Sequence, residues 1–116
     1  MKAAVYDRYG GPDRIHLAER AKPSPGPGQV LVRVHACSVN SWDWDLLIGN
    51  VYGRLAGPFG PRYRILGADL AGVVEAVGED VTRLTPGDAV AGDMAEHGFG
   101  GFAEYVVASE GAFVAK

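Results

Sequence analysis

Val30-Leu31-Val32-Arg33-Val34-His35-Ala36-Cys37 is the stretch that decides the fold class. Val30, Val32, Val34 and Ala36 share one face, while Arg33 and His35 share the other. A period of two belongs to a half-buried β-strand and not to a helix. The preceding Pro23-Ser24-Pro25-Gly26-Pro27-Gly28 is turn chemistry, because proline presets φ and glycine admits conformations closed to other residues. Shorter apolar stretches at 3–6, 15–19, 70–77, 89–92 and 102–108 read as further strands. Gly78-Glu79-Asp80 and Thr85-Pro86-Gly87-Asp88 supply turns between several of them. Short strands at this spacing predict a mainly β chain, a barrel or sandwich of largely antiparallel strands.

One segment departs from that pattern. Trp42, Leu46 and Leu47 fall at helical spacing, and Gly49 follows as a C-terminal stop. Asn40 or Ser41 can cap the start, and Asp43 then lies in the first turn, where the helix dipole favours an anion. The expected helix is about two turns long. Residues 50–66, with Gly53, Gly57, Pro58, Gly60 and Pro61 among Arg54, Arg62 and Arg64, read as a long loop of the functional kind.

Composition narrows the classes. A chain of 116 residues fits one domain, and it can bury a core without staples. Hydrophobic residues at 47% and charged residues at 22% are those of a globular protein and not of a disordered one. A net charge of -3 argues against nucleic acid, whose phosphates demand a basic face. Cys37 is the single cysteine, which excludes an intrachain disulfide and a multi-cysteine zinc site. Neither a signal peptide nor a membrane-length apolar run is present, so the expected location is cytoplasmic, with no membrane partner.

Four stretches together resemble a known family. They are Gly10-Gly11-Pro12; Pro27-Gly28-Gln29-Val30-Leu31-Val32; Ser38-Val39-Asn40-Ser41-Trp42-Asp43; and Leu66-Gly67-Ala68-Asp69-Leu70-Ala71-Gly72-Val73-Val74 with Pro86-Gly87-Asp88-Ala89-Val90 and Phe102-Ala103-Glu104-Tyr105-Val106-Val107. In order and spacing they are similar to the catalytic, GroES-like domain of medium-chain dehydrogenases/reductases. The resemblance covers nearly the whole of 1–116. It implies a GroES-like, partly open barrel of largely antiparallel strands with one or two short helices.

The resemblance also fixes a branch. Zinc-dependent alcohol dehydrogenases of this superfamily place a catalytic cysteine where this chain has Asn40. They place a metal-binding histidine in a Gly-His-Glu motif where it has Gly67-Ala68-Asp69. Asparagine and alanine cannot replace thiolate and imidazole, and a catalytic zinc needs three protein ligands. The four-cysteine structural lobe is missing as well, since 92–101 contains no cysteine. The chain is therefore similar to zinc-independent quinone oxidoreductases and NADPH-dependent enone reductases, and no zinc is expected. Without a Lewis acid, conjugated carbonyls suit better than simple alcohols. Charge then develops on an oxygen that hydrogen-bond donors can stabilise.

Candidate site residues follow partly from the same resemblance and partly from the residues themselves. Asn40 matches the asparagine placed beside the nicotinamide, and its bland alternative is a helix N-cap. Tyr52 lies close to where quinone oxidoreductases carry a tyrosine facing the cleft, although the spacing here is one residue longer. Its phenol could donate to a substrate carbonyl or simply pack on the barrel. Trp42 and Trp44 flank Asp43 on different helix sides, and Trp44 is the candidate lining of an apolar substrate pocket. Asp43 has a sufficient structural reason in the first helical turn. His16, His35 and His97 have no metal-ligand spacing, and His97, in a loop bordering the family's cleft, is the best proton donor of the three. Cys37 reads as a small buried apolar residue and not as a nucleophile. No catalytic residue is assigned.

The family's hydride comes from a nicotinamide held by a Rossmann domain, whose mark is a Gly-rich turn between strand and helix. Gly98-Phe99-Gly100-Gly101 precedes a strand, so it is not that mark. NADPH is then expected to be bound mainly by a domain missing from 1–116, which is expected to be inactive alone. That implies a fragment, a truncated product or half of a split enzyme, and a barrel left uncovered. Such a barrel would self-associate or take a complementing Rossmann domain. The alternative is a stand-alone GroES-like binding or assembly module without redox activity.

Overall fold

The computed structural model describes residues 1–39, 43, 47, 65–94, 97 and 99–115. Among the described residues seven strands follow one another: β1 (Lys2–Val5), β2 (His16–Glu19), β3 (Gln29–Ser38), β4 (Asp69–Val77), β5 (Ala89–Asp93), β6 (Tyr105–Ser109) and β7 (Phe113–Ala115). All pairings are antiparallel. β1 and β2 make a two-stranded ribbon, and the rest form one sheet in the order β6-β3-β4-β5-β7. The chain is mainly β, as the alternating pattern predicts. The sheets are antiparallel and are not closed into a barrel, in keeping with the open architecture expected.

β3, the longest of these strands, pairs with both β4 and β6. Its simple alternation does not survive to the end. Val34 pairs with Gly72 and Ala36 with Ala71, so His35 is an extra residue in β3. A bulge of one residue reverses which side chains face the core. Ala36, expected on the core face, is exposed, and Cys37 packs against the core in its place. Gly72 makes the close approach possible. A Cβ there would lie 2.2 Å from the Arg33 carbonyl oxygen.

The main core gathers Val30, Val32, Val74, Val90, Met94 and Phe113 between the strands of the large sheet. A second core gathers Tyr6, Leu47, Leu66, Ala68 and Phe99, with Tyr9, Ile15 and Phe102 packed against it. Residues 102–103, expected to begin β6, instead join the ribbon. Ala103 bridges Ala3, the Ala4 N–H donates to the Phe102 carbonyl at 2.9 Å, and the Glu104 N–H donates to the Lys2 carbonyl at 3.1 Å. β7 was not expected from the sequence, since three residues are too few to show a period.

Candidate functional site

β3, β4 and β5 meet at one end of the large sheet, which is the described part of the structure nearest in sequence to the candidate positions. Ser38 lies opposite Asp69, and Asp69 lies opposite Asp93. An open depression of about 290 Å³ is lined there by Ala36, Cys37, Ser38, Asp69, Leu70 and Ala71. Asp43 and Leu47, one turn apart, are helical, as the spacing predicts. Asn40, Trp42, Trp44 and Tyr52 lie outside the described residues.

Residues 66–68, which lead into β4, are tied by hydrogen bonds to three other parts of the chain. The Leu66 carbonyl accepts from the Phe102 N–H at 2.9 Å, the Gly67 carbonyl from the Gly101 N–H at 3.1 Å, and the Ala68 carbonyl from the Met94 N–H at 2.6 Å. The Gly67 N–H donates to Asp43 Oδ1 at 2.9 Å. Gly67 has φ +111, and a Cβ there would meet the Phe102 nitrogen at 2.7 Å and Gly101 Cα at 2.8 Å. Both the conformation and the space therefore require glycine. Ala68, beside it, is 1% exposed.

Asp43 is 2% exposed, the one buried charged or polar residue among those described. Its first-turn position explains a carboxylate but not its burial. The tertiary bond to Gly67, 24 residues away, was invisible to sequence reasoning, because no local period links the two positions. Cys37 behaves as expected. Burial, then the nearby carboxylates of Asp43 and Asp69, push its thiol up to about 11, so it stays protonated at neutral pH and is a poor nucleophile.

The three histidines are not gathered. His16 is exposed on the ribbon and His35 on the bulge. His97 is exposed in a turn that its N–H closes onto the Met94 carbonyl at 3.0 Å. Among the described residues no group of three His, Cys, Asp or Glu side chains is placed to hold a metal ion. Phe99, Gly100 and Gly101 lead through 102–104 into β6, a strand, where a pyrophosphate site needs the start of a helix.

Comparison with known proteins matches residues 26–116 to the model of the alcohol dehydrogenase GroES-like domain. A chloroplastic quinone-oxidoreductase of Triphysaria versicolor is 43% identical over 113 residues, covering 95% of this chain and 33% of that protein. A trans-enoyl reductase of Fusarium mangiferae is 41% identical over 110 residues, covering 95% of this chain and 26% of its own. The solved quinone oxidoreductase from Coxiella burnetii superposes with a TM-score of 0.88 at 31% identity, over 100% of this chain and 37% of that one. The chain thus spans about a third or less of the length of these curated relatives.

Proposed function

Since this chain belongs to the alcohol dehydrogenase GroES-like domain family, we propose that it is the substrate domain of a zinc-independent, NAD(P)H-dependent oxidoreductase. Its substrates are quinones or the C=C bonds of enones. The observation that carries this reading is Ala68. A buried methyl stands in the triplet Gly67-Ala68-Asp69, at the position that resemblance assigns to the histidine ligand of zinc-dependent members. A methyl supplies no ligand, which favours substrates that need no Lewis acid. The relatives named for quinone and enoyl reduction support the same substrate class.

In this reading NADPH is held by a Rossmann domain outside 1–116, and when bound it supplies the hydride. The residues of this chain then hold and orient the conjugated carbonyl. Asn40 sits beside the nicotinamide, Tyr52 donates to the substrate oxygen and Trp44 walls an apolar pocket. Leu70 contributes an apolar lining at the sheet end, while the neighbouring 66–68 segment, tied by four hydrogen bonds, is already ordered before substrate arrives. The protein works in the cytoplasm, and its partners are the complementing domain or a second copy. Among the described residues no helix is long and apolar enough to cross a membrane.

The product of the full reading frame tests this. NADPH should be consumed with 1,4-benzoquinone or a linear enone, and a chelator should not slow the reaction. Zinc-dependent oxidation of a primary alcohol would overturn the reading. Absence of any NADPH binding by the whole product would favour the stand-alone module instead.

A further inference from the structure

The register of the large sheet sets small apolar side chains in one row across it. Ala36 of β3 lies opposite Ala71 of β4, Ala71 opposite Ala91 of β5, and Ala91 opposite Val114 of β7. Cross-strand partners point to the same face of a sheet, and this face is not the core. Leu70, Gly72, Val90 and Phe113, which alternate with the row along their strands, are the buried ones. Ala36 and Ala91 are exposed, Ala71 is half-buried, and Val114 is 68% exposed. The solvent face of an antiparallel sheet is ordinarily polar, so an apolar row that crosses β3, β4, β5 and β7 marks a surface that meets a partner.

The rows on either side say which partner fits. One flank carries Ser38, Asp69 and Asp93, and the other carries Arg33, Val73 and Ala89. Arg33, Asp69 and Asp93 are all exposed. Glu75, further along β4 beyond Val73, is already bonded to Lys22. A second copy can seat on this face about a two-fold axis lying in it. An axis along the strands would lay the acidic row of one copy on the acidic row of the other, like charge on like. An axis along the alanine row instead lays the acidic row over the row of Arg33. It also keeps each strand on its own counterpart, within the range of directions at which sheets pack face to face.

We infer that the Ala36–Ala71–Ala91–Val114 row is an isologous interface between two copies of this chain, seated about an axis along the row, with Asp69 of each copy beside Arg33 of the other. Alanine side chains let the two sheets approach closely. Ala36 and Ala71 also line the depression of about 290 Å³, which the second copy covers on that side. The inference does not depend on the oxidoreductase reading.

Ala91→Cys in the product of the full reading frame tests it. Ala91 lies on the axis, so a short bismaleimide should join the introduced thiol to its own copy. The mass spectrum should then show the peptide around position 91 linked to itself. Leu17→Cys, on the ribbon at 76% exposed, should give no such product at the same concentration. Arg33→Glu or Asp69→Arg, added to Ala91→Cys, should each cut the yield about tenfold by setting like charges together. Mixing the two charge variants should bring it back to within about threefold, because both contacts of the mixed pair are again opposite in sign. Damage to the fold could not be repaired by mixing, so a mixture that stays low overturns the inference. Linkage of Leu17→Cys as readily as Ala91→Cys overturns it too. So does preferential linkage of Ala36→Cys to Val114→Cys in a mixture, which is the product of an axis along the strands. Absence of the Ala91→Cys product overturns it as well. Slow alkylation of that thiol would then show the rest of the chain to be the occupant, and fast alkylation an open face.

Discussion

Gly92 lies opposite Phe113 in the β5–β7 pair, and the Phe113 ring fills the space beside it so closely that a Cβ on Gly92 would sit 2.6 Å from Cδ1. Phe113 is 0% exposed, the largest apolar contribution of a three-residue strand to the main core. Phe113→Ala should therefore cost about 3–5 kcal/mol, through lost burial and the cavity left behind. Gly92→Ala should cost about 1–3 kcal/mol by forcing the ring aside. Urea unfolding of the two variants and of the double variant checks this. Because the residues touch, the double variant should cost less than the sum.

Glu110 latches the turn after β4 to the β6–β7 connection. Its carboxylate accepts from the Thr82 and Arg83 N–H groups at 3.3 and 3.2 Å, and the Arg83 guanidinium donates back to the Glu110 carbonyl at 2.7 Å. Glu110→Ala should lower stability by about 1 kcal/mol, with Glu110→Gln recovering part of it. Amide exchange at Thr82 and Arg83 should rise first, since both lose their acceptor.

The Lys22 ammonium lies 2.5 Å from the Glu75 carboxylate and 4.2 Å from the centre of the Tyr105 ring. The hydrogen bond from Lys22 holds the Glu75 carboxyl below its ordinary range, and the same bond raises Lys22. A depressed carboxyl stabilises the fold above its unfolded value, and that contribution is lost as pH falls through its folded value. The melting difference between wild type and Glu75→Gln should accordingly shrink as pH falls below the carboxylate range. It should also shrink in high salt, because the pair is exposed.

Cys37 should be slow to alkylate. With its thiol raised from 9.0 to about 11, the thiolate fraction near neutral pH is about a hundredfold below that of the unfolded chain. Iodoacetamide labelling followed by mass spectrometry, with and without urea, checks the ratio. Equal rates would show that Cys37 is not held against the core. The sign for stability is the reverse of that for Glu75. A raised thiol contributes below its unfolded value, and the contribution is lost as pH rises from about 9 through 11.

Residues 1–116 expressed alone should bind NADPH negligibly by calorimetry and should not retain one zinc per chain after dialysis. The first expectation follows from the glycine cluster at 99–101 leading into a strand, the second from the methyl at Ala68. Micromolar NADPH binding or stoichiometric zinc would count against the proposed division of labour.

What the sequence determined by itself was local and periodic. Alternation in 30–37, turn residues at 78–80 and 85–88, and helical spacing around Asp43 each depend on neighbours a few residues apart. Their order sufficed to place the family, and it is the resemblance to that family that sets Asn40 and Ala68 against the metal-ligand positions of its zinc-dependent members. Other features were decided only by the tertiary structure, because they depend on residues far apart in the chain. The bulge at His35 turns Ala36 outward and Cys37 inward, and it is a property of pairing with Gly72 and Ala71, not of β3 alone. β7 is a strand because Val90, Ala91 and Gly92 offer it an edge, not because three residues specify one. Asp43 satisfies a helix-start rule in the sequence, but its burial and its bond to Gly67 arise where two segments 24 residues apart close on each other. A hydrogen bond across that separation leaves no period to read, because its direction is set by the packing of backbone on backbone at Gly67, Gly101 and Phe102.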